Sequence, residues 1–381
     1  MKMLAAGGSR RLTWQEPPAT AYGWYCFSRC QFPGDPPRAG GLLIADRFHF
    51  ATISATLSPP SVPPGLTALN RRQFAELRTG LWMISPWLLG FATFTLYPFA
   101  ASLYWSFCRY DLLSEPRWVG WRNYQRLSAE LFEGGNFARA LGNTAYYAVW
   151  SVALSVLLGI SLAVLLSWKV RGRSVYRTLC FVPSVVPTVA AAVLWMWLLD
   201  PQQGLVNGVL ESLGLPDQGW FQSTSAAAWP PAWPGDHAGR LLGSKDGLVL
   251  MSLWGVGNLL VIYLAALADI PQPLYEAAEL DGAGRLRKFW HVTLPMLTPV
   301  VFFNVVMGLI QSVQAFTEIY LVSDGQGDPA GATLTLSLHL FLTAFKDLNM
   351  GYASAMAWVL FVLVMLVTVW LFRTSRHWVH L

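Results

Sequence analysis

Six long apolar runs, separated by basic clusters or turn-forming residues, leave few folds open to this chain. They lie at about residues 81–107, 141–168, 180–199, 247–268, 297–319 and 353–373. Each is close to the roughly 20 apolar residues that a helix needs to cross about 30 Å of hydrocarbon. Only 12% of the residues are charged and 54% are hydrophobic, whereas soluble domains carry about one-quarter charged residues. The expected architecture is an all-α integral membrane bundle of six spans. Prolines inside the runs, such as Pro98, Pro183 and Pro187, fit a bundle in which neighbours satisfy the freed carbonyls.

Basic residues set the orientation. One set of connections holds Arg71, Arg72 and Arg78, then Lys169, Arg171, Arg173 and Arg177, then Arg285, Arg287 and Lys288, then Arg373 and Arg376. The opposite connections are longer and hold fewer cations. The positive-inside rule therefore places both termini and the loop around Glu276 on the cytoplasmic side. The net charge of +5 is dispersed among the apolar runs rather than massed in a stripe, so topology explains it better than nucleic-acid binding.

Residues 1–66 differ from the rest. They contain Pro-rich pieces, including Glu16-Pro17-Pro18 and Ser58 to Gly65, and no apolar stretch long enough for a span. They read as a disordered N-terminal extension or as sequence upstream of the true start, which leaves 67–381 as the transmembrane domain. Cys26, Cys30, Cys108 and Cys180 form neither a disulfide framework nor a metal-ligand pattern. Between spans, Arg117 to Tyr124 carries aromatics suited to an interfacial belt. Residues 200–246, with Trp229, Pro230, Pro231, Trp233 and Pro234, read as an exposed extension over the bundle. The stretch Gly239 to Gly247 lacks the Gly-Lys-Ser/Thr order of a phosphate loop, so the chain itself is expected to bind no ATP.

Two polar features stand out. The first is Pro271 to Pro299, a polar segment between two apolar runs. Tyr275-Glu276-Ala277-Ala278-Glu279-Leu280 is a strong helix former, Asp281-Gly282 breaks it, and a second helical run carries Arg285, Arg287 and Lys288. Pro295 and Pro299 mark the return to apolar sequence. Residues alone leave this as a helix–turn–helix connection. The second feature is Asn304, Gln311, Gln314 and Glu318 in the fifth run, at steps of seven, three and four. On one continuous helix these share a face, which must turn into the bundle or a wet cavity. Either interhelical hydrogen bonds or contacts to a polar solute account for them, with Phe316 and Tyr320 available for stacking.

Glu276-Ala277-Ala278, Asp281-Gly282-Ala283 and Leu294-Pro295 with Pro299 resemble the EAA loop of ABC-importer permeases. The resemblance extends to Gly120-Trp121-Arg122-Asn123-Tyr124, Asn143-Thr144, Phe316 to Leu321, Thr333, Thr335 and Gly351 to Ala355, and so covers about residues 68–375. These stretches are similar to the carbohydrate group that includes maltose and glycerol-3-phosphate permeases. The resemblance implies a type I permease bundle in which residues of about 271–295 form a cytoplasmic coupling helix. Tyr275, Glu276, Ala277, Ala278, Asp281, Gly282 and Pro295 would then face a partner ATPase, and Asn304, Gln311, Gln314, Phe316, Glu318 and Tyr320 would lie along the substrate path. It further implies a second, non-identical permease, two ATPase subunits that use ATP and Mg, an extracytoplasmic solute-binding protein, and no cofactor, metal or catalytic residue in this chain. The location implied is a bacterial or archaeal inner membrane.

Other readings remain at this point. The same architecture imports peptides, polyamines or phosphate. A secondary transporter would need intramembrane ionisable relays, and a membrane enzyme would need clustered His, Asp or Glu; neither pattern is present in the spans.

Overall fold

The computed structural model describes residues 71–168, 171–222 and 243–376. The 1–66 extension, Cys26, Cys30, Lys169 and the Trp229–Pro234 stretch lie outside these residues.

The chain enters through α1 (Arg78–Ser106), an apolar helix whose Trp82 and Phe94 stand 80% and 84% exposed. Pro86 cannot donate to the carbonyl of Trp82, and Ser85 Oγ takes that carbonyl at 2.7 Å. A short antiparallel hairpin follows, β1 (Cys108–Arg109) paired with β2 (Arg117–Trp118). Inside it the Ser114 hydroxyl and backbone N–H hold the Asp111 carboxyl below the usual carboxylate range. The amphipathic α2 (Arg122–Phe132) then lies beside the hairpin. Its Asn123 Nδ2 donates to the carbonyls of Ser106 and Cys108 at 2.8 and 2.9 Å.

Helix α3 (Asn136–Ser167) runs 32 residues without a proline and forms the axis of the bundle. Three later elements pack on it: α7 (Ser244–Ala268), α9 (Arg285–Val313) and α11 (Leu336–Lys346). Small residues set the spacing. A Cβ on Gly159 would come within 3.0 Å of the Tyr263 ring, and one on Gly308 within 3.3 Å of Val152. The last helix, α12 (Met350–Ser375), covers the C-terminal half of α1. There Phe99 and Trp358 have ring centroids 4.7 Å apart, and Trp358 Nε1 donates to Ser102 Oγ at 3.2 Å.

Two of the six expected spans differ from their sequence reading. The third is not one straight helix: α4 (Arg173–Val185) and α5 (Thr188–Leu198) meet at a bend of 100°. Between them Val186 and Pro187 have extended backbone, with ψ of 130° and 138°, as expected where Pro187 disfavours helical geometry at the residue before it. The bundle thus has five uninterrupted long apolar helices among the described residues and one broken pair. The fifth span ends early. Helix α9 stops at Val313, and after Phe316 (φ −135°, ψ −56°) a separate short helix, α10 (Thr317–Val322), begins. Asn304, Gln311, Gln314 and Glu318 therefore do not share a face of one helix. Conversely, Pro295 and Pro299 do not interrupt α9. A π-helical turn at Phe289–Thr293 precedes Pro295, and Thr298 Oγ1 donates at 2.7 Å to the Pro295 carbonyl that Pro299 leaves free.

The described part of the 200–246 connection is largely exposed from residue 201 to 217 and anchored to the bundle through Asn207 and the buried residues 218–221. Helix α6 (Leu205–Ser212) places Asn207 Oδ1 to accept from Trp220 Nε1 at 2.7 Å. Trp220 and Phe221 are buried, because their large apolar rings gain more from the bundle end than from water.

Candidate transport site: an inner cavity linked to a surface helix

Between α3, the α4–α5 break, α7 and α9 lies a cavity of about 530 Å³. From α3 it receives Tyr147, Ser151 and Ser155. The break and α5 supply Ser184 and Thr188, and α7 supplies Ser252 and Asn258. The cavity also takes Asn304, Gln311 and Ser312 from α9 and Glu318 from α10. Hydroxyls and amides predominate among the polar groups, so the lining offers both donors and acceptors to a neutral polyhydroxylated solute. Asn304 is 5% exposed, and its Nδ2 lies beside the Tyr263 hydroxyl without well-formed hydrogen-bond geometry among the described residues. A buried amide donor of this kind costs about 1–3 kcal/mol until water or a solute pairs with it.

The sequence candidates for the substrate path separate here. Asn304, Gln311 and Glu318 line the cavity; Gln314, Phe316 and Tyr320 do not. Gln314 follows the last turn of α9 and is exposed. Phe316 and Tyr320 instead pack against Phe341 of α11, tilted and edge-on, at centroid distances of 5.0 and 5.7 Å. The physical reason is the end of α9 at Val313, which resets the helical phase for every residue after it.

At the other end of α9 is the polar helix–turn–helix. Helix α8 (Gln272–Leu280) starts with Pro273 in its first turn and ends in a Schellman arrangement. Gly282 N–H donates to the Glu279 carbonyl at 3.0 Å and Ala283 N–H to the Ala278 carbonyl at 2.9 Å. Gly282 adopts φ of +74°, which favours glycine. Three contacts tie α8 and its turn to the bundle: Tyr275 Oη and Thr293 Oγ1 at 3.0 Å, Lys288 Nζ and Glu279 Oε1 at 2.5 Å, and Arg285 over the Trp168 ring at 5.7 Å.

Glu276, Ala277, Asp281 and Gly282 are exposed, and two apolar side chains beside them stand out, Leu280 at 91% and Leu286 at 72% exposure. Pro295, by contrast, is half-buried in α9. Helix α9 is unbroken from Arg285 to Val313, so it joins the surface helix to the cavity. Thr293 and Asn304 lie roughly 17 Å apart along it at 1.5 Å per residue.

Residues 155–379 match the family described as binding-protein-dependent transport system inner membrane component. The chain belongs to that family. The permease is 39% identical over 305 residues to the probable ABC transporter permease protein YesP of Bacillus subtilis (strain 168), covering 79% of its own length and 91% of the relative's. It is 32% identical over 344 residues, 87% of its length and 92% of the relative's, to the diacetylchitobiose uptake system permease protein NgcF of Streptomyces coelicolor. To the trehalose/maltose transport system permease protein MalF of Thermococcus litoralis it is 30% identical over 313 residues, 81% and 97% of the two lengths. Among solved structures, a bacterial ABC transporter involved in the import of the acidic polysaccharide alginate contains a chain of the same fold. The TM-score is 0.64 at 22% identity, over 81% of the permease and 99% of that chain. The permease is thus a multi-pass membrane component of a transport system, with the type I importer fold.

Several lining residues of the permease escaped the sequence reading, most plainly Tyr147, Ser151 and Ser155. With Asn143 they recur every four residues along α3, a stripe that moderate polarity hides from a hydropathy profile.

Asn143 and Thr144 act elsewhere. Asn143 Nδ2 donates to the carbonyls of Gly331 and Leu334, both at 2.8 Å. Thr144 Oγ1 accepts from the Leu336 N–H at 2.9 Å. Together they pin the segment before α11 to the end of α3.

Proposed function

We propose that the permease forms one half of the membrane path of an ABC importer for a sugar or sugar derivative. The other half would be a second permease subunit, two ATPase subunits would supply the energy, and a solute-binding protein outside the membrane would deliver the substrate. The observation that carries this reading is the continuity of α9, with the polar cavity at one end and the exposed α8 turn at the other. Relatives named for diacetylchitobiose and for trehalose/maltose transport support a carbohydrate. The basic residues of the α8–α9 connection and of both chain ends support a cytoplasmic position for α8 and the termini.

In this mechanism the permease does no bond chemistry. ATP binding draws the two ATPases together, and α8, seated on one of them through Glu276, Ala277, Leu280 and Gly282, moves with it. Tyr275, Thr293 and the Lys288–Glu279 pair pass that motion to α9. The cavity then alternates between the two sides, with hydroxyls and amides binding solute more tightly in one state than in the other.

The test is purification of the tagged permease from native membranes after cross-linking, followed by ATPase assays on the reconstituted complex. The panel is maltose, trehalose, diacetylchitobiose and arabinooligosaccharides. Recovery of an ATPase, a second permease and a solute-binding protein, with hydrolysis stimulated by at least one sugar, is expected. A permease that purifies alone and moves solute in liposomes on an ion gradient would overturn the reading.

A further inference from the structure

A second cavity, of about 350 Å³, lies at the end of α5 remote from the break. Three acidic residues line it: Asp200 just after α5, and Asp324 and Asp328 just after α10. Asp200 is engaged through Oδ1, which accepts from the N–H groups of Gln202 and Gln203 at 2.9 and 2.8 Å. No donor among the described residues reaches the carboxylates of Asp324 or Asp328. Ser323 also lines the cavity, is 2% exposed, and its Oγ has no hydrogen-bond partner among the described residues. A cavity edged with carboxylates and holding a buried, unpaired hydroxyl is complementary to a cation that also carries hydrogen-bond donors. Apart from Gln222 the remaining wall is apolar, including Leu199, Phe221 and Val322.

A bare metal ion does not fit this description. Among the described residues no three His, Cys, Asp or Glu side chains are grouped closely enough to hold one. A long basic side chain does fit. Its methylenes lie along apolar walls while its charged end reaches the acids. A guanidinium adds a planar set of five donors, enough to pair with a carboxylate through two hydrogen bonds and still reach a hydroxyl.

We infer that this cavity is a socket for an arginine side chain of the solute-binding protein, a contact that rests on the importer reading above. The location gives the contact a consequence. Helix α5 lends Thr188 and Ala191 to the inner cavity and Met196 to the socket, while Glu318 of α10 faces the inner cavity and Ser323, at the end of α10, the socket. The two helices pack on each other. An arginine seated between Asp200 and Asp324 therefore braces the two elements that wall the inner cavity on its outer side. Docking of the binding protein and the shape of the cavity are linked through rigid elements about one to three turns long.

The test uses the reconstituted complex and the solute-binding protein recovered with it, saturated with its sugar. The measured quantity is the binding-protein concentration that half-maximally stimulates ATP hydrolysis. For Asp324→Asn with Asp328→Asn, that concentration is expected to rise about tenfold or more, the effect typical of removing close charge partners at an interface. Asp328→Lys should raise it further, and Asp328→Glu should restore it. For the unaltered permease it should also rise as salt increases from about 0.1 to about 1 M, where the screening length falls from about 10 to about 3 Å. This last measurement decides the matter if the variants fail to assemble.

Half-saturation indifferent to both the asparagine pair and salt would overturn the socket while leaving the importer reading intact. A difference between variant and parent that EGTA abolishes, with the magnesium needed for ATP hydrolysis left in place, would overturn it in favour of a bound divalent cation such as calcium. If no binding protein stimulates the unaltered complex, the importer reading fails and the socket fails with it.

Discussion

Asn143 offers the sharpest test of how the segment before α11 is held. Its side chain is 3% exposed and its amide donates to the carbonyls of Gly331 and Leu334, residues 188 and 191 positions away. Asn143→Ala removes both donors. A hydrogen bond of this type contributes about 0.5–1.5 kcal/mol net, and a buried acceptor left unpaired costs about 1–3 kcal/mol. The Leu334 carbonyl is buried and the Gly331 contact only partly so, so the sum is about 2–4 kcal/mol. Asn143→Asp keeps the shape but replaces a donor with an acceptor opposite two carbonyls, and so should cost more than Ala. The assay is the thermal midpoint of the purified permease in detergent, with limited proteolysis of the 323–335 segment as a local readout. Parent above Ala above Asp, with earlier cleavage in both variants, is expected. An Asp variant as stable as the parent would refute the assignment of the amide donors.

The remaining predictions concern the surface helix, the bundle and the inner cavity. A Cβ at Gly282 meets nothing within 4 Å in this chain, so the cost of Gly282→Ala here is the left-handed backbone alone, about 1–2 kcal/mol. Gly282→Asn should cost less, and stimulated ATP hydrolysis should follow parent, Asn, Ala, at equal membrane levels of permease. The reverse order of Asn and Ala would show that a partner surface, not φ, sets the requirement. A Cβ on Gly351 would sit 2.1 Å from the Cys108 carbonyl oxygen. Gly351→Ala should therefore lower the amount of folded permease in the membrane, as read by gel filtration, and an unaltered profile would contradict the packing. Asn304→Leu removes the buried amide from the inner cavity, so sugar transport should fall while the thermal midpoint holds. A lower midpoint with transport retained would make Asn304 a structural residue.

Much of this architecture was legible because the bilayer simplifies the reading. Apolar length alone located α3, α7 and α12 to within about five residues, within the usual scatter of boundary readings. The α8 turn was legible as well, since Pro273, Asp281 and Gly282 act through local backbone geometry. What hydropathy missed depends on partners remote in sequence. Nothing between Leu309 and Ser323 is a Pro or Gly, so the fifth run reads as continuous. The helix ends at Val313, whose carbonyl accepts from Ser337 Oγ at 2.9 Å, 24 residues downstream. That tertiary hydrogen bond satisfies a carbonyl the helix end leaves free, and the misplacement of Gln314, Phe316 and Tyr320 follows from the helix end itself. The bend between α4 and α5 was signalled by Pro183 and Pro187, yet its size of 100° depends on how close α7 comes. A Cβ on Gly257 would lie 2.4 Å from the Cys180 carbonyl oxygen, and no property of the third run reports that.

The positions of these irregularities bear on the mechanism. Helices α3 and α9 wall the inner cavity without a break. The opposing walls are interrupted at the depth of the cavity. Pro183 and Ser184 line it at the 3₁₀ segment Val182–Val185, and Trp254, Gly255 and Val256 line it where α7 tightens into a 3₁₀ turn. Non-helical backbone within a membrane is tolerated where it is buried in protein or borders a wet cavity. Here it both supplies hydrogen-bonding groups beyond those of the side chains and marks where a wall can bend. Uninterrupted α3 and α9 facing two interrupted walls is the arrangement in which motion delivered by α9 changes the cavity without dismantling the bundle. The interruptions belong to the same α4–α5 and α7 elements that pack against each other through Gly257, so bending at one shifts the other.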